Sequence, residues 1–274
     1  IAVSGTHGKT TVTSMIAHTL INNNFDPNYL IAGIPKKLEK SWNISNDEVF
    51  VIEADEYDTC YFDKRPKFFH YRPNILLINN IEFDHADIYE NIEMIEKNFF
   101  ELIKTMPSKS KVLINEKKVS KSFRNKLKKE KLKTTLQFLS LNTSNIHEEN
   151  KLLAAHAIED LISKEKVLNG LKDYIGVKRR FETIFNNKNF KLIDDFAHHP
   201  TAIEETIKMI REQTDNFTLI VELGSNSMKR GVHDKRLVDI FKNQETYTIN
   251  ATAEQEKIFS VHAKELTNDD IVKI

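Results

Sequence analysis

The chain has 274 residues, with 40 Lys plus Arg against 40 Asp plus Glu, and is 40% apolar and 29% charged. That length allows one or two domains with real cores, and the balanced charge leaves no global field to draw in nucleic acid or a membrane surface, so neither is expected as a partner. The single cysteine, Cys60, excludes an internal disulfide and a cysteine-based zinc site and suits a reducing cytoplasm. Its thiol is expected to be small and buried or half-buried. No apolar run reaches the length of a membrane-spanning helix, and no signal-peptide pattern precedes the first strand. The sequence starts without Met, in mid-strand, and is expected to be a piece of a longer protein.

The first strand pattern, Ile1 to Val3, runs into a glycine-containing turn, and helical spacing follows from about Lys9 to Leu20. Strand, glycine turn and helix in that order build a phosphate site: the turn's N–H groups converge on an anion, and the positive end of the helix dipole faces it. Lys9 would reach the β- and γ-phosphates of a nucleotide, and the Thr10 hydroxyl would sit on a magnesium ion. The full G-x-x-x-x-G-K-[ST] pattern would need its first glycine at Val3. Only Gly8, Lys9 and Thr10 satisfy it, and an ordinary glycine turn before a helix stays as the alternative.

Val12, Met15, Ile16 and Leu20 give that helix one buried face, and Pro27 closes the segment. Tyr29 to Gly33 reads as a short strand, and Glu48 to Ile52 as a compact apolar one whose end carries Glu53, Asp55, Glu56 and Asp58. These carboxylates are either a solvated turn or a metal seat. Ligands in open α/β sheets bind outside the carboxyl ends of the strands, which favours a metal on Glu53. Asp55, Glu56 and Asp58 are expected to face water or orient neighbours. Asn74 to Ile78 is a further buried strand, ending in a polar run that contains Asn80, Glu82, Asp84, His85 and Asp87. His85 is either a metal ligand supported by the flanking carboxylates or a bland surface histidine.

Ile88 to Lys104 is amphipathic, Lys111 to Asn115 is a strand, and the lysine-rich stretch 116–133 is expected to be a wet helix or loop. Leu136 to Leu141 reads as a strand and Asn150 to Ile162 as a helix. Strands alternating with helices predict a mostly parallel, doubly covered sheet. A composition break near Gly170 to Val177 sets the expected boundary between domains at 1–176 and 177–274. Beyond it, a strand from Lys191 runs into a polar turn ending at Pro200. Thr201 to Arg211 is helical, with Thr201 as N-cap and Glu204 at capping-box distance. Phe217 to Leu223 is a buried strand that delivers the polar loop Gly224 to His233, and helix, short strand, helix and strand complete the chain.

Lys9 and Thr10 at one strand end, Glu53 at a second, and Asn80 with His85 at a third make a magnesium–nucleotide site if those strands are neighbours. Phosphoryl chemistry, by positioning and charge neutralisation, is the economical reading. The same residues carry a resemblance. The run Gly5 to Thr11, Glu53 to Glu56, Asn80 to His85, Arg180 with Phe181, and Asp194 to Pro200 resemble the Mur ligase family, the ATP-dependent amide ligases of bacterial cell-wall synthesis. Phe50 to Asp58, Phe62 to Arg65, His70 to Pro73 and Ser225 to Lys229 are most similar to one branch. That branch joins UDP-N-acetylmuramate to L-alanyl-γ-D-glutamyl-meso-diaminopimelate in peptidoglycan recycling.

The resemblance implies a P-loop-type α/β central domain that binds ATP and Mg2+, and a smaller Rossmann-like α/β C-terminal domain. It implies that an N-terminal UDP-binding domain is missing here. It also implies a cytoplasmic enzyme that phosphorylates the muramate carboxylate and lets the peptide's amine attack the acyl phosphate. Gly5, Thr6, His7, Gly8, Lys9, Thr10 and Thr11 would hold the ATP phosphates, joined by Arg180 and Asp195 from the second domain on closure. Thr10 and Glu53 would hold one magnesium and His85 a second, with Asn80 supporting the γ-phosphate. His199, Ser225, Asn226 and Lys229 would recognise substrate. Two places depart from the pattern: Glu148 and Lys151 replace the asparagines of a His-Asn-x-x-Asn stretch, and Gly224 stands where Arg is usual. Rival readings are the ligase that adds L-alanine to the same sugar nucleotide, a non-catalytic nucleotide-binding remnant, and a plain P-loop ATPase.

Overall fold

Strands buried on both faces read as continuous apolar runs, and four such runs form the middle of one sheet. The computed structural model describes residues 1–59, 61, 63–143 and 145–266; Cys60 and Phe62 lie outside the described residues. The sheet contains β1 (Ala2–Ser4), β2 (Asn28–Leu30), β3 (Trp42–Asn43), β4 (Phe50–Glu53), β5 (Ile75–Ile78), β6 (Lys111–Asn115) and β7 (Thr135–Leu139). Their order is β3-β2-β4-β1-β5-β6-β7, and every pairing is parallel except β2 with the two-residue edge strand β3.

Register decides which side chains meet which core. Ala2 pairs with Ile52 and Leu76, and Leu76 with Val112, so these residues share a face under α2 (Ile92–Thr105) and α3 (Lys121–Lys129). Val3, Val51, Leu77 and Leu113 point the other way, into a core closed by α1 (Lys9–Asn22), α4 (Ile146–Ala157) and α5 (Lys164–Gly170). Because α1 leaves β1 over one face and α2 leaves β5 over the other, the strand order reverses between β1 and β5. Such a reversal opens a crevice at the carboxyl ends of those two strands.

Three local expectations are refined. The lysine-rich stretch holds a helix, α3, because Phe123 and Leu127 fall four residues apart and are buried, and Ser120 Oγ accepts from Phe123 N at 3.0 Å. Helix α4 begins earlier than its apolar pattern, since Asn145 Oδ1 accepts from His147 N (2.9 Å) and Glu148 N (3.2 Å). A hairpin of β8 (Glu182–Asn186) and β9 (Lys191–Asp194) follows, antiparallel and largely exposed.

By packing, the chain forms two units: Ile1–Phe83 with Ile88–Asp194, and Asp84–Asp87 with the residues from Asp195 onward. In the second, β10 (Thr218–Glu222), β11 (Glu245–Ile249) and β12 (Lys264–Glu265) form a parallel sheet. Around it lie α6 (Pro200–Arg211), the single turn α7 (Asn226–Lys229), α8 (Asp234–Phe241) and α9 (Ala253–Phe259). Their core gathers Ile203, Val221, Leu237, Phe241 and Phe259. The expected N-cap of α6 is corrected: His199 caps it, accepting from Thr201 N at 3.3 Å through Nδ1, because Pro200 supplies a preset φ at the first helical position and has no N–H to satisfy. A capping box does form, at Thr252 and Gln255 on α9.

Candidate functional site

The chain turns from β1 into α1 through Ser4 to Lys9, beside the end of β5. Gly5 (φ 123°) lies so close to β5's continuation that a Cβ would fall 2.6 Å from Asn80 O and 2.8 Å from Asn80 N. Gly8 (φ 79°) is the N-cap of α1 and abuts the Asn79 side-chain amide. Neither position accepts an L side chain without moving the backbone or its neighbour. Asn80 stitches the loop together: its Oδ1 accepts from His7 N (2.8 Å), its Nδ2 donates to His7 O (3.1 Å), and its carbonyl accepts from Thr6 N (3.3 Å). Thr6 Oγ1 accepts from Glu82 N at 2.9 Å, and His7 Nε2 lies 3.8 Å from Glu82 Oε1. The helix entry carries no side-chain cap and no acidic residue in its first turn, where Thr11 is half-buried. Its leading N–H groups are therefore left for an anion. Asn80 thus shapes the loop.

Thr10 and Glu53 meet as expected. Thr10 Oγ1 donates to Glu53 Oε1 at 3.0 Å, and Glu53 Oε2 accepts from Ala32 N at 3.0 Å. Arg180, read from sequence as a second-domain residue, packs in the first unit, and its Nη2 donates to Thr10 Oγ1 at 3.1 Å. The segment that brings it there is stapled down: Val177 bridges Pro35, Lys36 N donates to Gly176 O (3.0 Å), and Lys178 N donates to Ile34 O (2.9 Å). Guanidinium, hydroxyl and carboxylate form one chain of oriented hydrogen bonds, each polarising the next.

Lys9 is buried, and its Nζ donates to Gly5 O (2.8 Å) and Glu56 Oε2 (3.3 Å), with Thr6 O at 3.5 Å. Burial works against its charge, but the carboxylates of Glu56, Asp55 and Glu53 outweigh that and hold the ammonium above its ordinary pKa. Of the two expectations for Glu56, facing water or orienting a neighbour, the first does not hold: it is 1% exposed and meets Lys9 instead. Lys151 reaches outward to Glu148 at 2.8 Å, whereas Asn150, one residue earlier, is 6% exposed. The Asn150 Oδ1 has no partner among the described residues, and a Cβ on Gly8 would lie 3.2 Å from it. Asn79 Oδ1 is likewise buried without a partner. Sequence reading passed over Asn150; its place one turn into α4 was the signal available.

Oxygen donors suit magnesium, and the uncapped helix end, buried lysine and two unsatisfied amide oxygens suit a polyphosphate with a polar head group. The residues present fit both.

The other sequence-derived positions gather in the second unit. Ser227, buried and not singled out from sequence, donates from Oγ to Asp84 Oδ1 at 2.7 Å and accepts from Ala86 N at 3.2 Å. Asn226 Nδ2 donates to Asp87 Oδ2 at 3.0 Å. Burial pushes the Asp84 carboxyl up, but His85, the Ser227 hydroxyl, the His85 N–H and His199 together hold it down to about 2. Between these anchors His85 adopts a left-handed backbone (φ 55°). Ser225 Oγ accepts from Met228 N at 3.2 Å, capping α7, while Lys229 is exposed at its end. His199 is buried, edge-on to His233 with ring centroids 4.5 Å apart. Asp195 Oδ2 accepts from Thr206 Oγ1 at 2.6 Å.

Residues 3–167 match the model of the Mur ligase middle domain, and residues 179–272 that of the Mur ligase glutamate ligase domain. The chain is 34% identical to the UDP-N-acetylmuramate–L-alanyl-γ-D-glutamyl-meso-2,6-diaminoheptandioate ligase of Haemophilus influenzae, over 85% of this chain and 58% of that protein. It is 29% identical to the UDP-N-acetylmuramate–L-alanine ligase of Clostridium perfringens, over 81% of this chain and 54% of that one. Among solved structures, a murein peptide ligase from Psychrobacter arcticus superposes with a TM-score of 0.71 at 27% identity, over 99% of this chain and 70% of that chain. The chain thus spans a little over half the length of the curated relatives it matches.

Proposed function

Because the chain belongs to the Mur ligase family, we propose that it is the ATP-binding and C-terminal part of a ligase joining UDP-N-acetylmuramate to L-alanyl-γ-D-glutamyl-meso-diaminopimelate. Residues 1–176 would form the nucleotide domain and residues 177–274 the C-terminal domain, with the stretch through Asp194, Arg180 included, packed in the first unit. The reaction transfers the γ-phosphoryl group of ATP to the muramate carboxylate, giving ADP and an acyl phosphate. The peptide's amine then displaces phosphate to leave an amide. A magnesium ion held by Thr10 and Glu53 would neutralise charge on the transferring phosphates. Lys9 and the N–H groups entering α1 bind and orient the phosphate chain, and Asn80 keeps the loop in shape. Arg180 fixes the Thr10 hydroxyl and adds positive charge. Asn150 offers its free carbonyl oxygen to the nucleotide. His85 would take a second metal, and Asp195 would contact the nucleotide. His199, Ser225, Asn226 and Lys229 would recognise the substrates. No helix among the described residues is long and apolar enough to cross a membrane.

One observation carries this reading. Three residues far apart in sequence (Thr10, Glu53 and Arg180) join in one hydrogen-bonded chain at the carboxyl ends of the neighbouring strands β1 and β4, beside the buried Lys9. Calorimetric titration of Mg-ATP into this chain and its Lys9→Ala variant tests the nucleotide part. Saturable, magnesium-dependent binding that the variant loses is the expected result. Offering tripeptide and L-alanine in parallel to the full-length protein tests the substrate; phosphate release that ignores the tripeptide would sink the assignment.

A further inference from the structure

An ammonium group has three hydrogens to donate, and in this loop all three directions from Lys9 are taken. They are Gly5 O at 2.8 Å, Thr6 O at 3.5 Å and Glu56 Oε2 at 3.3 Å. The two carbonyls belong to the loop that would wrap a phosphate chain. The third acceptor is a carboxylate from the far end of β4, and its position is over-determined. Glu56 is 1% exposed, and its carbonyl accepts from Tyr89 Oη at 2.6 Å, which in turn accepts from Asn98 Nδ2 at 3.2 Å. One residue on, Tyr57 N donates to Asp55 Oδ1 at 2.8 Å, a local turn that fixes the backbone on the other side. The Glu56 backbone is pinned on both sides and its carboxylate is buried, whereas Lys9 reaches it on a flexible four-carbon stem.

We propose that Glu56 is the internal counter-anion of the phosphate loop, a positioning residue that holds Lys9 folded back while the loop is empty and is exchanged for the phosphate of an arriving nucleotide. The proposal rests on the reading of the loop as a nucleotide site. A buried ammonium needs a counter-charge, so the pair keeps the empty loop intact. The same carboxylate competes with phosphate for Lys9 and repels it. Glu56 therefore lowers nucleotide affinity, and removing its charge raises it.

That sign separates the proposal from a merely structural role, since a residue that only supports the loop would weaken binding when altered. Glu56→Gln keeps the shape and one acceptor while deleting the charge. In calorimetry with metal-free ADP the variant is expected to bind about tenfold tighter than the parent chain, the equivalent of one charge-assisted hydrogen bond. Glu56→Asp, which keeps the charge but shortens the reach, is expected to show no such gain. In the Lys9→Ala background the glutamine substitution should give a much smaller gain, because the exchange needs the lysine. Equal or weaker ADP binding by a Glu56→Gln chain with unchanged circular dichroism overturns the proposal alone. A parent chain that binds neither ADP nor Mg-ATP overturns the nucleotide reading, and this proposal falls with it.

Discussion

Thr10 carries two separable loads, and replacing it by valine or by serine removes one at a time. Its hydroxyl links Arg180 Nη2 (3.1 Å) to Glu53 Oε1 (3.0 Å), while its methyl, buried with the rest of the side chain, lies beside Gly33. Thr10→Val keeps the shape and the methyl but leaves a guanidinium and a carboxylate facing carbon. Losing a shared hydrogen-bond partner for charged groups costs about 1–3 kcal/mol of stability. Thr10→Ser keeps the hydroxyl and loses one buried methyl, about 1 kcal/mol. Urea unfolding measures both losses, and ATP titration with and without magnesium measures the site. The serine variant should still bind more tightly when magnesium is present; the valine variant should show no such gain. Magnesium-dependent binding surviving in Thr10→Val would refute the assignment of the Thr10–Glu53 pair as the metal's seat.

Arg180→Ala should weaken Mg-ATP binding by about tenfold, and Arg180→Lys should not restore it, since an ammonium lacks the guanidinium's fork. Unchanged affinity in the same titration would remove Arg180 from the site. Asn150→Ala should lower ATP affinity, whereas Lys151→Ala should leave it alone, because Lys151 is committed to Glu148; the opposite result would restore the register read from sequence. Burial pushes the Tyr89 and Tyr174 phenols up to about 12. A phenol raised above its unfolded value near 10 contributes stability that is complete below pH 10 and lost as pH rises toward 12, about 2 kcal/mol per group. Phenolate absorbance should show two of the seven tyrosines ionising last, and Tyr89→Phe with Tyr174→Phe should abolish that late phase.

The central sheet is legible in the sequence because β1, β4, β5 and β6 are apolar on successive residues, as strands covered on both faces must be. Of the hairpin, β9 is legible as the strand from Lys191 and β8 is not, since four of its five residues are exposed and no alternation marks a buried face. Lys9, Thr10 and Glu53 could be found because a glycine turn and a strand end locate chemistry within a few residues. Glu56 could not: four carboxylates crowd one turn, and only the fold sends this one inward to Lys9. Asn150 was missed by a single residue, which on a helix turns a side chain by about 100° and separates a buried amide from an outward lysine. Ser227 has no signal of its own; its importance lies in an aspartate 143 positions earlier.

That separation bears on how such a chain can be made and cut. The path leaves the first unit at Asp84, returns at Ile88 and departs again after Asp194. On a ribosome, Asp84 and Asp87 emerge long before Ser227 and Asn226 exist to receive them, so the second unit cannot close until its last partners are translated. An excised piece ending at Asp194 would lack the Ser227 and Asn226 that bind Asp84 and Asp87, and a chimera that swapped only the residues after it would inherit a foreign quartet at 84–87. Any transplant between family members has to move both stretches as one graft.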